Sequence, residues 1–232
     1  MTESGADETD YGADAIQVLK GLEGVRKRPA MYIGDTGTNG LHELIKEIVN
    51  NSVDEAMAGR CDRIDVIIKK DGSIWIKDDG HGIPTDFHPG EKKSGVEVVM
   101  SMLHAGGKFD HKAYQVSGGL HGVGASVVNA LSEWCSVEVW QKGKVFKQRF
   151  ERGITKTELE VTGETEETGT ITWFKPDHEI FDSVEFDYEL TSHRLRELAF
   201  LTKGLAIHIS DERTDQHDEF HYEGGVEEFV RF

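Results

Sequence analysis

Residues 117–124 read SGGLHGVG, and the apolar segment ASVVNALSEW follows at once. Four glycines in eight positions before a predicted helix are typical of a loop whose backbone N–H groups approach an anion closely. A Walker-type loop would end in Gly-Lys-Ser/Thr, but Gly124 is followed by Ala125 and Ser126. A dinucleotide-binding loop would place a third glycine at Val127. The stretch therefore predicts either a phosphate-binding loop without its own lysine or an ordinary glycine-rich surface loop.

The composition of the chain limits its partners. Its 232 residues include 43 acidic and 26 basic side chains, for a formal net charge of -17. This balance argues against a direct grip on a nucleic-acid backbone, which needs Lys and Arg to displace counterions. Two cysteines imply no disulfide framework and favour a reducing, cytoplasmic setting. The sequence contains neither a membrane-spanning apolar run nor a signal peptide, because its first residues, MTESGADETD, are acidic and polar.

The periodicity of apolar residues predicts an α+β fold. Residues 40–59 form the clearest predicted helix, whose buried stripe follows a spacing of three and four residues: Leu41, Leu44, Ile45, Ile48, Ser52 and Ala56. Residues 63–78 alternate apolar and polar side chains on either side of Asp71-Gly72, as in a β-hairpin. Further strands and helices are interspersed along the chain, which favours helices packed on one face of a sheet.

The predicted helix carries the first candidate site. Glu47, Asn51 and Asp54 lie within roughly 60° of one another on its surface, beside the apolar stripe. An isolated E-x-x-x-N-x-x-D pattern is more often a solvated polar face. The functional interpretation is a carboxylate that acts as a general base next to an amide oxygen that ligates a hard cation such as Mg²⁺.

The second candidate site is KDDGHGIP, residues 77–84. Read alone, this stretch is a turn after a strand, since Asp, Gly and Pro all favour turns. Asp78, however, ends an apolar strand, and a carboxylate only accepts hydrogen bonds. It suits the exocyclic amino group of adenine and repels the carbonyl that guanine carries at the same place. Gly82 and Pro84 would then lie close against the base.

Together the three motifs occur in the order E-x-x-x-N, D-x-G-x-G, G-x-x-G-x-G, and with them the sequence resembles the GHKL ATPases. Further strings place the resemblance in the gyrase B branch of that family and extend it over nearly the whole chain beyond the acidic tail: VLKGLEGVRKRPAMYIGDT, LHAGGKF, GETEETGT and HYEGG. The resemblance implies a two-layer sandwich, with an eight-stranded mixed sheet and helices on one face. It also implies ATP as substrate and Mg²⁺ as cofactor.

The resemblance implies a role for each motif residue. Glu47 would be the general base, Asn51 the Mg²⁺ ligand, and Asp78 the adenine-binding residue, sharing an ordered water with Thr170. The other implied ATP-binding positions fall in the helix, the glycine turn, the lid and an N-terminal arm that reaches a dimer partner's nucleotide: Asp54, Glu55, Gly82, Ile83, Pro84, Gly106, Lys108, Tyr114, Leu120, His121, Gly122, Val123, Gly124, Tyr11 and Ile16.

The resemblance also divides the chain. Residues 1–12 would be an acidic tail and the start of the arm, 13–223 the ATPase domain, and 224–232 the truncated start of a transducer domain. The chain would thus be a fragment of a type II topoisomerase that powers DNA strand passage and negative supercoiling. The gyrase A protein and DNA would be partners of the full-length protein, which dimerises on ATP binding. The fragment alone would be a monomer with slow hydrolysis, because a lysine of the next domain contacts the γ-phosphate.

Other functions stay open at this point. The equivalent component of topoisomerase IV shares every motif. A histidine-kinase-type phosphotransfer domain fits less well, because that family lacks a glutamate at the position of Glu47. A nucleotide-gated clamp without useful hydrolysis is compatible with Glu43, since like charges one helical turn apart shift each other's titration.

Four positions depart from the family pattern. Glu43 replaces a frequent histidine near the catalytic base, and Asn50 replaces the aspartate that usually precedes the metal ligand. His81 replaces the arginine of the glycine turn. Gln141 aligns with an arginine that grips aminocoumarin antibiotics, which are ATP-competitive inhibitors of the family. We expect the adenine and metal contacts to be kept and aminocoumarin binding to be weakened.

Overall fold

A computed structural model describes residue 19 and residues 21–105 and 123–224. Six helices lie in this part of the chain: α1 (Glu23–Lys27), α2 (Ala30–Ile33), α3 (Thr38–Met57), α4 (Gly95–Ser101), α5 (Gly124–Ala130) and α6 (Tyr188–Leu201). The helix predicted over 40–59 is therefore confirmed as α3. Its apolar stripe is buried as expected except at Ala56, which is partly buried, and Leu41, Leu44 and Ile48 belong to the main core.

Eleven strands occur in the same residues: β1 (Arg63–Ile68), β2 (Ile74–Asp78), β3 (Phe87–His88), β4 (Lys93–Ser94), β5 (Ser132–Gln141), β6 (Lys144–Glu151), β7 (Ile154–Thr155), β8 (Glu160–Glu164), β9 (Gly169–Pro176), β10 (Ala206–Asp211) and β11 (Gln216–His221). Nine of them form one sheet in the order β11-β10-β1-β2-β9-β5-β6-β7, with β8 also paired to β6. The pair β1–β10 is parallel, whereas β1–β2, β2–β9 and β5–β9 are antiparallel.

The expected mixed sheet with helices on one face is confirmed. Its main path contains eight strands, and the ninth, β8, lies beside β6 at the same end of the sheet as the two-residue strand β7. The predicted hairpin is the pair β1–β2, in which Ile64 lies opposite Asp78. Its turn contains Gly72 at φ 79°, a left-handed conformation that glycine adopts without steric cost.

Strand alternation separates the two faces of the sheet. In β2, Ile74, Ile76 and Asp78 are buried, whereas Trp75 and Lys77 between them are partly exposed. The buried set faces the helices, and its two isoleucines join the main core, because successive side chains of a strand point to opposite faces. We call these the covered face and the open face of the sheet.

Two expectations about organisation stay predictions. The tail and arm start at 1–12 lie outside the described residues, and so does the predicted start of a further domain except for Gly224.

None of the helices in the described ranges is long and apolar enough to cross a bilayer.

Candidate active site

Asp78 ends β2 on the covered face, where its carboxylate is held by three donors. The hydroxyl of Ser52 donates to Oδ2 at 2.8 Å, and the backbone N–H of Gly80 donates to Oδ1 at 3.0 Å. The backbone N–H of Thr170, the register partner of Asp78 on β9, donates to Oδ1 at 3.3 Å. A carboxylate offers about four acceptor positions, so one remains for a further donor.

The protein retains this carboxylate at an electrostatic cost. Asp78 is only 9 % exposed, and burial raises the pKa of its carboxyl above the usual range. The hydrogen bonds from Ser52, Gly80 and Thr170 oppose that rise in pKa, and the nearby Glu55 carboxylate adds to it. A buried acid that keeps three donors and a raised pKa is typical of a functional site.

The loop after Asp78 packs closely against β5 and β9. Gly82 has φ +79°, and a Cβ there would lie 2.8 Å from Cγ1 of Val139 and 3.0 Å from the carbonyl oxygen of Gly169. The side-chain amide of Gln141 donates to the carbonyl of Ile83. The backbone after Asp78 is therefore tied to the sheet edge, as a wall of a base-binding pocket needs to be. Pro84 follows on the same loop and is exposed.

Helix α3 places Glu47 against the start of α5. A Cβ built on Gly124 would lie 2.2 Å from Oε2 of Glu47 and 3.2 Å from its Cβ, so the side chain occupies the space that Gly124 leaves open. Asn51 follows one turn later on the same helix, and both side chains are half-buried. The first and third motifs thus meet in space, and Ser52 of the same helix reaches the second.

The remaining acids of α3 differ in their surroundings. Asp54 is fully buried. Glu55 accepts two hydrogen bonds from Arg60, at 2.9 and 3.1 Å, and its Cβ lies 3.4 Å from where a Cβ of Gly80 would be. The stem of Glu55 therefore lines the wall beside Asp78, while its carboxylate pairs with a cation.

A metal ion would find a sparse donor set in this part of the protein. The described ranges contain no group of three or more His, Cys, Asp or Glu side chains that could hold one. Mg²⁺ commonly keeps several waters and takes one or two protein oxygens together with substrate phosphates. A single amide oxygen from Asn51, near the carboxylate of Glu47, fits that pattern.

Several predicted site residues lie outside the described part of the chain: Tyr11, Ile16, Gly106, Lys108, Tyr114, Leu120, His121 and Gly122. The end of the predicted lid is described. Val123 precedes α5 and its carbonyl accepts from the N–H of Val127 at 2.9 Å, so the helix begins at the position the glycine pattern predicts.

The four departures occupy different environments. Glu43 forms an ion pair with Lys46 at 2.5 Å, so a cation balances its charge one turn from Glu47. His81 is exposed, and Asn50 is half-buried. Gln141 is buried and bonded to the loop, which gives it a structural contact that the sequence pattern does not reveal.

Sequence reasoning missed three contributors to the Asp78 site. The spacing of Ser52 predicts only a place in the apolar stripe, but its hydroxyl binds the carboxylate. Gly80 supplies an N–H donor. Gly169 lies so close to the carbonyl oxygen of Asp78 that a Cβ on it would be 2.2 Å from that atom. The sequence signal for Gly169 is its place directly before Thr170, the residue of β9 that pairs with Asp78.

Comparisons with known proteins agree with this geometry. Residues 36–180 match the family model described as histidine kinase-, DNA gyrase B-, and HSP90-like ATPase. Over 222 residues the chain is 58 % identical to the DNA gyrase B protein of Clostridium acetobutylicum, and the match covers 96 % of this chain and 35 % of the relative. It is 56 % identical over 224 residues to the B component of DNA topoisomerase 4 of Bacillus subtilis, covering 96 % and 34 %. The chain thus spans about a third of the length of these relatives.

A solved structure is similar as well. The 43K ATPase domain of Thermus thermophilus gyrase B, in complex with an aminocoumarin, superposes with a TM-score of 0.82 at 46 % identity. The match covers 90 % of this chain and 54 % of the other. Fold and sequence similarity therefore point in the same direction as the three motifs.

Proposed function

Because the chain belongs to the histidine kinase-, DNA gyrase B-, and HSP90-like ATPase family, we propose that it binds ATP against Asp78 and hydrolyses it with Glu47 as general base. The observation that carries the proposal is the buried carboxylate of Asp78, which keeps one acceptor position next to the loop of Gly82. Adenine would donate its amino hydrogen to that position. Guanine would present a carbonyl there and be repelled.

The phosphates would then extend towards Glu47 and the start of α5. The carboxylate of Glu47 would take a proton from the attacking water, and the packing against Gly124 would fix its direction. The first N–H groups of a helix point out of its N-terminal end, so those of α5 would face the phosphates. Lys108 would add a positive charge from the predicted lid.

Asn51 would hold Mg²⁺ through its amide oxygen. When bound, the ion would neutralise phosphate charge, which explains how a glycine loop without a Walker lysine can serve a triphosphate. Asn51 and Glu47 lie one turn apart on helix α3, which fixes their spacing. What the protein itself contributes to the reaction is therefore the orientation of the Asn51 amide oxygen and of the Glu47 carboxylate.

For the whole protein we propose the role that the name of its DNA gyrase B relatives implies: ATP-driven strand passage in the cytoplasm, with the gyrase A protein and DNA as partners. The full-length protein, mixed with its gyrase A partner, should introduce negative supercoils when ATP is present. Efficient decatenation without supercoiling would instead assign it to the topoisomerase 4 type, whose relative in Bacillus subtilis is 56 % identical to this chain.

Glu47→Gln tests the catalytic assignment. The amide keeps the size and polarity of the side chain but cannot take a proton, so ATP turnover should fall by at least about 100-fold while ATP still binds. Turnover is measured in the full-length protein, and binding by calorimetry. The matched control is Glu43→Gln, the same change one turn earlier, where the carboxylate pairs with Lys46. Equal turnover of parent and Glu47→Gln proteins would remove Glu47 from the chemistry.

The aminocoumarin in the similar Thermus thermophilus structure suggests inhibitors of this type for the present chain. Gln141 would weaken them, because an amide cannot reproduce the charged, paired hydrogen bonds of a guanidinium. Gln141→Arg should therefore raise novobiocin affinity, whereas losing the side-chain amide that donates to Ile83 should not raise ATP affinity. Equal novobiocin affinity of the two proteins would refute the role of this position.

A further inference from the structure

All four tryptophans of the chain lie on the open face of the sheet: Trp75, Trp134, Trp140 and Trp173. Each is half-buried, and Trp75 lies opposite Trp173 across β2–β9. The rings of Trp134 and Trp173 meet edge to face, with centroids 5.3 Å apart and planes at 85°. A face without covering helices in the described ranges thus carries the largest aromatic side chains of the protein.

A cavity of about 320 Å³ opens beside Trp134 and Trp173. Lys147 and Arg149 of β6 line it, and the guanidinium carbon of Arg149 lies 5.7 Å from the Trp134 ring centroid. Lys175, the cross-strand neighbour of Trp134, is close by. We call these five residues the tryptophan surface.

The charge of this surface is only partly balanced. Glu138 lies 3.6 Å from Lys147, and Glu160 also lines the cavity. Arg149 forms no ion pair with any residue of the described ranges, whereas the charge of Lys175 acts on the Asp71 carboxylate and helps to lower its pKa. Indole rings beside a cation that lacks an ion pair favour a ligand that carries both carboxylates and an aromatic ring.

Such a ligand is present in the chain itself. Its first 14 residues contain five acidic side chains and one tyrosine but no Lys or Arg: Glu3, Asp7, Glu8, Asp10, Tyr11 and Asp14. We propose that, while the chain is a monomer, the acidic segment of residues 1–14 docks on the tryptophan surface of its own chain, and that Tyr11 leaves this surface when the arm reaches a dimer partner's nucleotide. The surface is thus an intramolecular binding site for an acidic peptide.

The described chain places that segment within reach. Leu22 contacts the turn between β6 and β7, where its Cδ1 lies 3.1 Å from the position of a Cβ on Gly153. Arg149 precedes this turn by four residues on β6, a distance of about 13 Å along the strand. Eighteen residues precede Leu19, and that length spans up to about 60 Å when extended.

Covalent attachment favours this occupant over free anions. A tethered segment experiences an effective concentration in about the millimolar range, so a weak site is still populated. A separate acidic partner has no such advantage. The segment therefore needs only the modest attraction that an exposed aromatic and cationic surface provides.

A spin label on the segment tests the proposal in the full 232-residue chain. Ser4→Cys is labelled selectively, because Cys61 and Cys135 are buried and their thiol pKa values are raised by burial. The indole N–H signals of the ¹⁵N-labelled protein are recorded with the label active and reduced. We expect a strong loss of the Trp134 and Trp173 signals and a smaller loss at Trp140, six residues along β5 from Trp134.

Variants separate this result from chance contact. Arg149→Glu should restore both signals, whereas Lys203→Glu, the same charge change far from the surface, should not. A second variant, with Asp7→Asn, Glu8→Gln and Asp10→Asn, alters no residue of the sheet and should restore them too. Equal loss at all four indoles, or loss that persists in both variants, would overturn the proposal. So would loss in a mixture of spin-labelled and separately ¹⁵N-labelled chains, because it would identify a second copy as the occupant.

Discussion

Lys77 and Asp78 are neighbours on β2, yet they face opposite sides of the sheet. Asp78 points to the covered face, where three donors hold its carboxylate and burial raises its pKa. Lys77 points to the open face, where its Nζ lies 4.0 Å from the Trp140 ring centroid and 3.4 Å from Glu167. Two adjacent residues therefore carry a charge that is costly to bury, on Asp78, and a charge that stays near solvent, on Lys77.

The difference shows where function is to be sought in this sheet. On the covered face a charge is costly, so its retention with a spare acceptor position indicates a ligand. On the open face a charge stays hydrated, and its pairs contribute little to stability. Substitutions on the covered face should therefore alter nucleotide chemistry or folding strongly, and those on the open face should alter them little.

Among substitutions that keep Glu47 itself, the largest effect is expected for Gly124→Ala, at the contact between α3 and α5. The new Cβ would overlap Oε2 of Glu47, at 2.2 Å, and force the carboxylate to move. Misplacing a catalytic group by about 1 Å can cost about 100-fold in rate, so turnover of the full-length protein should fall by that order. Gly163→Ala is the control, because its Cβ meets nothing nearer than 3.7 Å. Unchanged turnover in Gly124→Ala would separate this contact from catalysis.

Asp78→Asn should weaken ATP binding by about 10- to 100-fold. An amide can present its own NH₂ to the adenine amino group, and losing a charge-assisted hydrogen bond costs about 1.5–3 kcal/mol. Calorimetry with ATP measures the change. Lys77→Met, on the neighbouring residue, is the matched control and should bind ATP like the parent. Equal ATP affinity of the Asp78→Asn and parent proteins would contradict the adenine assignment.

The same Asp78→Asn variant should be more stable than the parent in the absence of nucleotide. Because the folded-state pKa of Asp78 is raised above its unfolded value, its contribution is favourable only while it is protonated and is lost as pH rises through the folded pKa. The stability advantage of the variant should thus be present at pH 7 and vanish towards about pH 4, near the unfolded pKa. Denaturant titrations at both pH values measure it. A stability advantage of Asp78→Asn that grows as pH falls would contradict the predicted direction of the pKa shift.

Gly82→Ala should lower the free energy of unfolding more than Gly72→Ala does. Both glycines have φ +79°, so an alanine at either position would adopt a left-handed conformation that is strained for a residue with a Cβ. Only Gly82 has neighbours in the way, Val139 and Gly169, and overpacking typically costs about 1–3 kcal/mol in addition. Chemical denaturation compares the two. An equal loss of unfolding free energy in Gly82→Ala and Gly72→Ala would mean that the loop around Gly82 can move away from the sheet at no energetic cost.

The smallest effect is expected on the open face, for Lys77→Met. Methionine keeps the apolar stem over Trp140 but removes the cation, and an exposed cation–π contact contributes about 0.5–1 kcal/mol. The free energy of unfolding should fall by no more than this amount. A loss of several kcal/mol would show that the open face stabilises the fold as strongly as the covered face does.

Local patterns are sufficient for much of the architecture. The stripe of α3 and the hairpin β1–β2 follow from periodicities of 3.6 and 2 residues, which depend only on nearby sequence. The order of the three motifs identifies the family, because each motif is short and contiguous. Asp78 is found in the same way, as a carboxylate at the end of an apolar strand.

Tertiary structure alone decides which residues complete those motifs. Ser52 has the spacing of a core residue, and only the packing of α3 on β2 makes it a donor to Asp78. The sequence pattern explains Gly124 by phosphates, but its missing side chain also makes room for Glu47. The arrangement of the tryptophans needs the sheet order, because β2, β9 and β5 are adjacent in space but not in sequence. Periodicity determines which face a side chain occupies, whereas its partners depend on how distant segments of the chain pack together.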